Sequence, residues 1–209
     1  MRRLLVAAFA GLVGLSAQAV AQTGFFVEAA AGRSKADLGN TSSWSVSDRD
    51  GTYAITAGYM FNNHFGMEGG FRNLGDVSAS RTGNFSGTLY GRALSGNGSL
   101  SFKADGSGWT IGPRAYLPIN NEFSVNARTG VIRWESDQSA TVNAAFTWDG
   151  RSYAANATAT EKRTGTNIYL GFGGAYNINK QAAIGLNFTR FKIDTVRVDA
   201  WDVSVRFSF

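Results

Sequence analysis

The chain has 209 residues, a formal net charge of +5, no cysteine and a single histidine. That length suits one domain, and so weak and scattered a positive charge excludes a nucleic-acid surface. The lack of cysteine excludes both a disulfide framework and a lipoprotein acylation site. Glycine is abundant at 26, proline scarce at 2, and aromatics make up 13%. No long stretch carries apolar residues at helical spacing, so the chain reads as all-β.

The first element reads as an export signal over residues 1–21. Arg2 and Arg3 supply positive charge, Leu4 to Leu15 an apolar run, and Ala19-Val20-Ala21 a small-residue cleavage site. The run falls short of the ~20 residues that a spanning helix needs. The leader is therefore expected to be cleaved, leaving one domain over residues 22–209.

Period-two alternation then predicts strands at Gly24–Gly32, Tyr53–Phe61, Phe65–Asn73, Trp109–Leu117, Phe123–Val131, Ile168–Tyr176, Ala183–Phe191 and Trp201–Phe209. The last is the clearest. Trp201, Val203, Val205, Phe207 and Phe209 share one face, and Asp202, Ser204, Arg206 and Ser208 the other. Pro113 sits inside the fourth predicted strand, where it removes a ladder hydrogen bond, so a bulge or kink is expected there.

Connections decide between a soluble sandwich and a membrane barrel. Three are short and alike: Tyr59–Phe65, Tyr116–Phe123 and Tyr176–Lys180. They alternate with long ones at Arg33–Gly51, Leu74–Gly108, Glu135–Gly165 and Lys192–Asp199. This rhythm predicts an eight-stranded antiparallel up-and-down transmembrane β-barrel with short periplasmic turns and long external loops. The two longest loops are expected to continue as hairpins, with turns at Ser95-Gly-Asn-Gly98 and Asp149-Gly150. Outward aromatics fall at both ends of the strands. Tyr53, Phe71, Trp109 and Trp201 lie at the external end, and Tyr59, Phe61, Phe65, Phe123, Tyr176 and Phe209 at the periplasmic end.

The same alternation turns Glu28, Glu68, Arg114, Arg128, Asp202 and Arg206 inward. Charges there are tolerable only when paired and hydrogen-bonded, so the cluster fixes register and is either a structural plug or a gate. For the gate, Glu68 would alternate between Arg114 and Arg128. Enzymatic chemistry is not expected: His64, the one candidate base, falls in a periplasmic turn. No metal site, cofactor or phosphate loop is legible. Arg81, Arg92, Lys103, Arg151, Lys162 and Arg163 lie in the external loops, and Arg133 and Arg190 near the external rim. They are candidate partners for lipopolysaccharide phosphates or ordinary solvated charge. Trp44, Tyr90, Trp148 and Tyr153 would offer contact points for a surface or host ligand, or pack within the hairpins.

Several segments together resemble the OmpA-like transmembrane barrel family, without the peptidoglycan-binding domain that often follows it. They are Phe65-Gly-Met-Glu-Gly-Gly-Phe71, Trp109-Thr-Ile-Gly-Pro-Arg-Ala-Tyr-Leu-Pro-Ile119, Phe123-Ser-Val-Asn-Ala-Arg-Thr-Gly-Val-Ile-Arg-Trp134 and Val203-Ser-Val-Arg-Phe-Ser-Phe209. Ail/OmpX-type small barrels share the architecture. The resemblance implies a charged cluster inside the barrel, with Glu68, Arg114 and Arg128 at matching positions. Glu28 departs, since the family's best-known member has a base on that strand. The terminal Phe209 resembles the signal read by the barrel assembly machinery. The expectation is a monomer in the bacterial outer membrane, surrounded by lipid and lipopolysaccharide. Its role would be structural or surface-interacting (envelope integrity, adhesion), with a narrow porin-like channel as the alternative.

Overall fold

The structure, a computed structural model, describes residues 23–37, 45–47, 49–194 and 196–209. The expected leader and Trp44 lie outside these. The strands are β1 (Gly24–Asp37), β2 (Ser45–Ser47), β3 (Arg49–Met60), β4 (Phe65–Leu89), β5 (Arg92–Pro118), β6 (Phe123–Trp148), β7 (Arg151–Asn177), β8 (Ala182–Ile193) and β9 (Val196–Ser208). Apart from β2, neighbours in sequence pair antiparallel, and β1 pairs with both β3 and β9. The β4–β5 pairing closes a ring of eight, with β2 a short piece laid against β4. Closure leaves no sheet edge within the membrane, which is what a solvent without hydrogen-bonding capacity demands.

The three periplasmic turns share one construction. Asn62 Oδ1 accepts from the amides of His64 and Phe65, Asn120 Oδ1 from Glu122 and Phe123, and Asn179 Oδ1 from Gln181 and Ala182. In each, the two residues starting the turn donate to the carbonyl of the strand residue that follows it. Asparagine suits this role because its side-chain carbonyl reproduces a backbone turn.

The external side differs from expectation in extent. The two longest connections are almost wholly strand. β4–β5 and β6–β7 run as hairpins to tips at Tyr90-Gly91 and Asp149-Gly150, all four residues with positive φ. Positive φ at both central positions defines the type I′ turn that suits sheet twist. Asp149-Gly150 is thus a turn as expected. Ser95–Gly98 is not: it lies within β5, paired to β4 and β6. Nor is Lys192–Asp199 a long loop, since β8 and β9 pair up to Ile193 and Val196.

Pro113 makes no bulge. The β5–β6 ladder lacks pairs at Gly112 and Pro113 but resumes at Arg114 in the same register. Opposed Gly112 and Gly130 let the backbones approach, for a Cβ on either would strike the other strand's backbone. The irregularity falls instead at Asn73/Gly75 of β4. Gly75 has φ +83 there, Asn73 Oδ1 accepts from its amide at 3.0 Å, and Ser34 Oγ donates to the Leu74 carbonyl.

This bulge inverts the parity of β4. Below it the even residues Glu68, Arg72 and Leu74 face the lumen; above it the odd residues Val77, Ala79, Phe85 and Leu89 do, in register with Ala104, Phe102, Gly96 and Arg92. The external extensions of β4 to β7 therefore form an amphipathic four-stranded sheet. Its lumen-side face carries Phe85, Leu100, Phe102, Val142, Phe146 and Tyr153, and its outer face serines, threonines and asparagines. On that apolar face Tyr153 stacks on Phe146 at 5.4 Å, and Trp148 Nε1 donates to the Leu89 carbonyl.

Candidate functional site

The lipid-facing surface and the lumen are built by one alternation read from its two sides. Outward residues such as Val27, Ile55, Ile111, Leu170 and Leu186 are exposed and apolar, as contact with acyl chains requires. Aromatics bracket them. At the external end Phe71 lies between Tyr53 and Trp109, at centroid distances of 6.4 and 5.4 Å. Phe188 lies 4.7 Å from Trp201. At the periplasmic end Tyr59 meets Phe25 at 4.9 Å, and Phe123 meets Tyr176 at 5.3 Å.

Inside, the buried side chains are stacked in tiers. The lowest holds Phe26, Met60 and Tyr116. Arg206 donates to the Tyr116 hydroxyl at 2.9 Å and lies over its ring, with the centroid 4.5 Å away. That hydroxyl is 2.6 Å from Ser124 Oγ and 3.1 Å from Asn177 Oδ1.

The middle tier is centred on Arg114, 2% exposed. Its Nη2 lies 2.8 Å from Glu28 Oε2 and its Nη1 3.1 Å from Glu68 Oε2. Arg128 reaches Glu28 Oε1 at 3.5 Å and donates to Thr189 Oγ1 at 3.0 Å. Tyr169 donates to Glu68 Oε1 at 3.5 Å. Small residues make room for the long bases. A Cβ on Gly171 would meet Arg128 Cγ at 3.0 Å.

In the upper tier Arg72 Nη1 lies 3.0 Å from Asp202 Oδ2, and Asn187 donates to Asp202 Oδ1 and to Ser204 Oγ. Above it an apolar layer of Leu74, Ile132, Trp134, Phe191, Val198 and Ala200 crosses the lumen. Among the described residues, these tiers fill the lumen with buried side chains from the periplasmic end to the apolar layer.

The structure buries all six charges expected inside: Glu28, Glu68, Arg114, Arg128, Asp202 and Arg206. Of the two partners expected for Glu68 in a gate, Arg114 is the one it holds here. Glu68 bonds Arg114 and Tyr169, while Arg128 turns to Glu28. Arg72 was missed in the sequence, although it lies four residues from Glu68 on the same strand face. The lumen thus holds four arginines against three carboxylates among the described residues, and Arg206 is met by a phenol ring and its hydroxyl rather than by an acid.

At the external rim, Arg133 stands cross-strand from Trp109 and donates to Thr166 Oγ1, while Arg190 holds Asp199 with two bonds of 2.7 Å. That guanidinium holds the Asp199 carboxyl below the usual carboxylate range. Of the loop bases, Arg92 pairs with Asp149, Lys103 with Asp76, Lys162 with Glu135 and Arg163 with Glu161. His64 Nδ1 lies 3.2 Å from the Tyr116 carbonyl. Among the described residues no three His, Asp or Glu side chains are grouped to hold a metal.

A closed β-ring with an apolar girdle, two aromatic belts and an ion-paired lumen is a transmembrane barrel of the outer-membrane kind. The chain belongs to the outer membrane protein beta-barrel domain family, whose model matches residues 5–209, and it is a protein of the bacterial outer membrane. A search of curated proteins finds no match. Among solved structures it is similar to Ail, the attachment invasion locus protein of Yersinia pestis, at 18% identity and TM-score 0.48, covering 91% of this chain and 100% of that one. OprG from Pseudomonas aeruginosa is similar at 14% identity and TM-score 0.45, covering 90% and 97%. Neisserial surface protein A is similar at 14% identity and TM-score 0.42, covering 90% and 98%.

Proposed function

We propose that this barrel is a surface-interacting envelope protein rather than a channel or an enzyme. The observation that carries the reading is the four-stranded sheet raised beyond the external aromatic belt. Half of the barrel wall, β4 to β7, has 25 to 27 residues per strand, where β1, β3, β8 and β9 have 12 to 14. So tall a wall serves no purpose in spanning the membrane, which takes ~9–11 residues per strand. It does present a broad polar face, an apolar face and an open edge: from Arg151 to Ile168, β7 has no partner on its β8 side among the described residues. Open edges and exposed apolar patches are the usual places where partners dock. The tiers of buried side chains support a closed lumen, and the lone histidine in a turn supports a non-enzymatic role.

Lipopolysaccharide is the partner expected beside the wall. Arg133 supports this, since among the described residues its guanidinium meets a hydroxyl and no carboxylate. Arg190 supports it less, being already neutralised by Asp199. The test joins Leu74 to Gly108 and Glu135 to Gly165 by short linkers. This version should still fold in lipid but lose binding of whole cells to host-cell layers and to immobilised glycolipid. Undiminished binding would overturn the reading.

A further inference from the structure

The apolar layer that closes the lumen is also the floor of a cavity. This space of about 320 Å³ lies inside the external mouth, between the bulge of β4, the facing walls of β5 and β6, and the β8–β9 turn. Leu74, Val77, Ala104, Trp134, Ile193 and Val198 line it, and Leu74, Trp134 and Val198 are themselves part of the buried floor. Below the floor come the ion pairs; above it the apolar face of the raised sheet continues upward. Arg163, in register with Ser136 one step beyond Trp134, also lines the space, and its guanidinium is held by the exposed Glu161.

The geometry points to a binding site for an amphiphile with one alkyl chain of about a dozen carbons and an anionic head. The chemistry of the tail follows from the lining. Apolar walls around an opening that faces water are unfavourable unless something apolar covers them. The length follows from the volume. A dry apolar cavity of ~150 Å³ accommodates benzene, six carbons, so about twice that space takes about twice the carbon. The charge of the head follows from Arg163, the one base on the described lining, which the exposed Glu161 carboxylate holds and which Asp194, also on the lining, faces. Exposed ion pairs of that kind are weak, so a carboxylate or phosphate anchored beside the cavity competes with Glu161 and Asp194 for the guanidinium.

The parity switch at Gly75 is what makes the site. Without the extra residue, Ser78 and Ser80 rather than Val77 and Ala79 would face the lumen. The bulge thus turns an apolar wall toward a place where a water-filled mouth would call for a polar one.

The experiment is a titration of the mature chain, methyl-labelled and refolded in phospholipid nanodiscs, with decanoate. Saturable shifts are expected at the methyls of Leu74, Val77 and Val198. In a series from hexanoate to hexadecanoate, affinity should rise roughly fourfold per methylene to about twelve carbons and then level off. Ala104→Phe, which fills the space from a half-exposed wall position, should weaken binding at least tenfold. Ala79→Phe, from the neighbouring strand, should do the same, and Thr141→Phe on the polar face should change nothing. Decanol should bind more weakly than decanoate, and Arg163→Gln should remove that difference while leaving decanol unaffected. If lipopolysaccharide in the nanodisc already occupies the site and blocks decanoate, the natural chain comes from the surrounding leaflet; if decanoate still binds, it comes from solution. Shifts that grow linearly without saturation, or binding by both filled variants as tight as the parent's, would overturn the proposal.

Discussion

Arg72 on β4 and Asp202 on β9 stand 130 residues apart in sequence and meet across the lumen, Nη1 to Oδ2, at 3.0 Å. The contact ties together two strands that stand three places apart around the ring. Arg72 also lies over the Phe191 ring, 5.5 Å from its centroid, and Asn187 occupies the other oxygen of Asp202. Asp202→Ala leaves a buried guanidinium without its carboxylate, which costs about 3–5 kcal/mol. The loss should appear as a lower urea midpoint in lipid vesicles. Changing both residues to apolar side chains of similar volume should recover most of it, since neither charge then remains unpaired.

Glu68→Ala is the test of a gate. The apolar layer of Ile132, Trp134 and Phe191 lies above the site of substitution, and Glu28 still holds Arg114 and Arg128. The variant should therefore fold with reduced stability and show no more current across a planar bilayer than the parent. Discrete channels that appear only in the variant would make the ion pairs a valve.

The periplasmic turns offer three copies of one measurement. Asn62→Ala, Asn120→Ala and Asn179→Ala each remove an oxygen that accepts two backbone amides, at a cost of about 1 kcal/mol apiece. Near-equal shifts in the unfolding midpoint are expected for the single variants, with coupling in the triple variant because Asn177 donates to the Glu122 and Asn121 carbonyls and Tyr116 to the His64 carbonyl. A marked inequality would mean that the backbone bonds of the turns differ in strength despite their shared geometry.

Tyr90 tops the β4–β5 hairpin with φ 51 and is 89% exposed. A side chain other than glycine or asparagine is disfavoured there by about 1 kcal/mol. Tyr90→Asn should slow proteolytic cutting at the tip. If the tyrosine touches a host surface, the same substitution should weaken binding while stabilising the hairpin.

The Arg190–Asp199 pair sets one pH dependence. The carboxyl titrates below its unfolded value, so its contribution is fully present above the ordinary carboxylate range. That contribution is lost as pH falls through the lowered value. Stability curves of the parent and of Asp199→Asn should be offset at neutral pH and converge only in strong acid. Curves that converge near pH 6 would place the controlling group elsewhere.

The ring was legible because lipid leaves a chain few options: apolar on every second residue, aromatics at the ends, short turns on one side. The six inner charges followed from the same parity. Legibility failed where parity itself changed. In Phe65–Asn73 the even residues point inward, and the single extra residue at Leu74 reverses this. Alternation read across Leu74 with one phase scrambles the faces, so hairpins could be expected beyond it but not their length or which face is apolar. Ser95-Gly-Asn-Gly98 misled for a related reason. Its residues favour turns, but pairing on both sides with β4 and β6 outweighs local preference, and the reversal is made by Tyr90-Gly91, where tyrosine is no turn former. Arg72 shared the alternation that revealed Glu68. The partners of Arg206 and Arg128 could not be read, because which side chains meet across a lumen depends on the tilt and stagger of the strands.

The outward face of the raised wall is clothed in serine, threonine and asparagine, and its greasy face looks over the protein's own mouth. In a crowded leaflet a neighbour that approaches on the β4–β7 side therefore meets the hydrophilic face of the wall. The other side stands open to whatever descends from outside the cell. One inserted residue on one strand determines which of these two encounters is sticky.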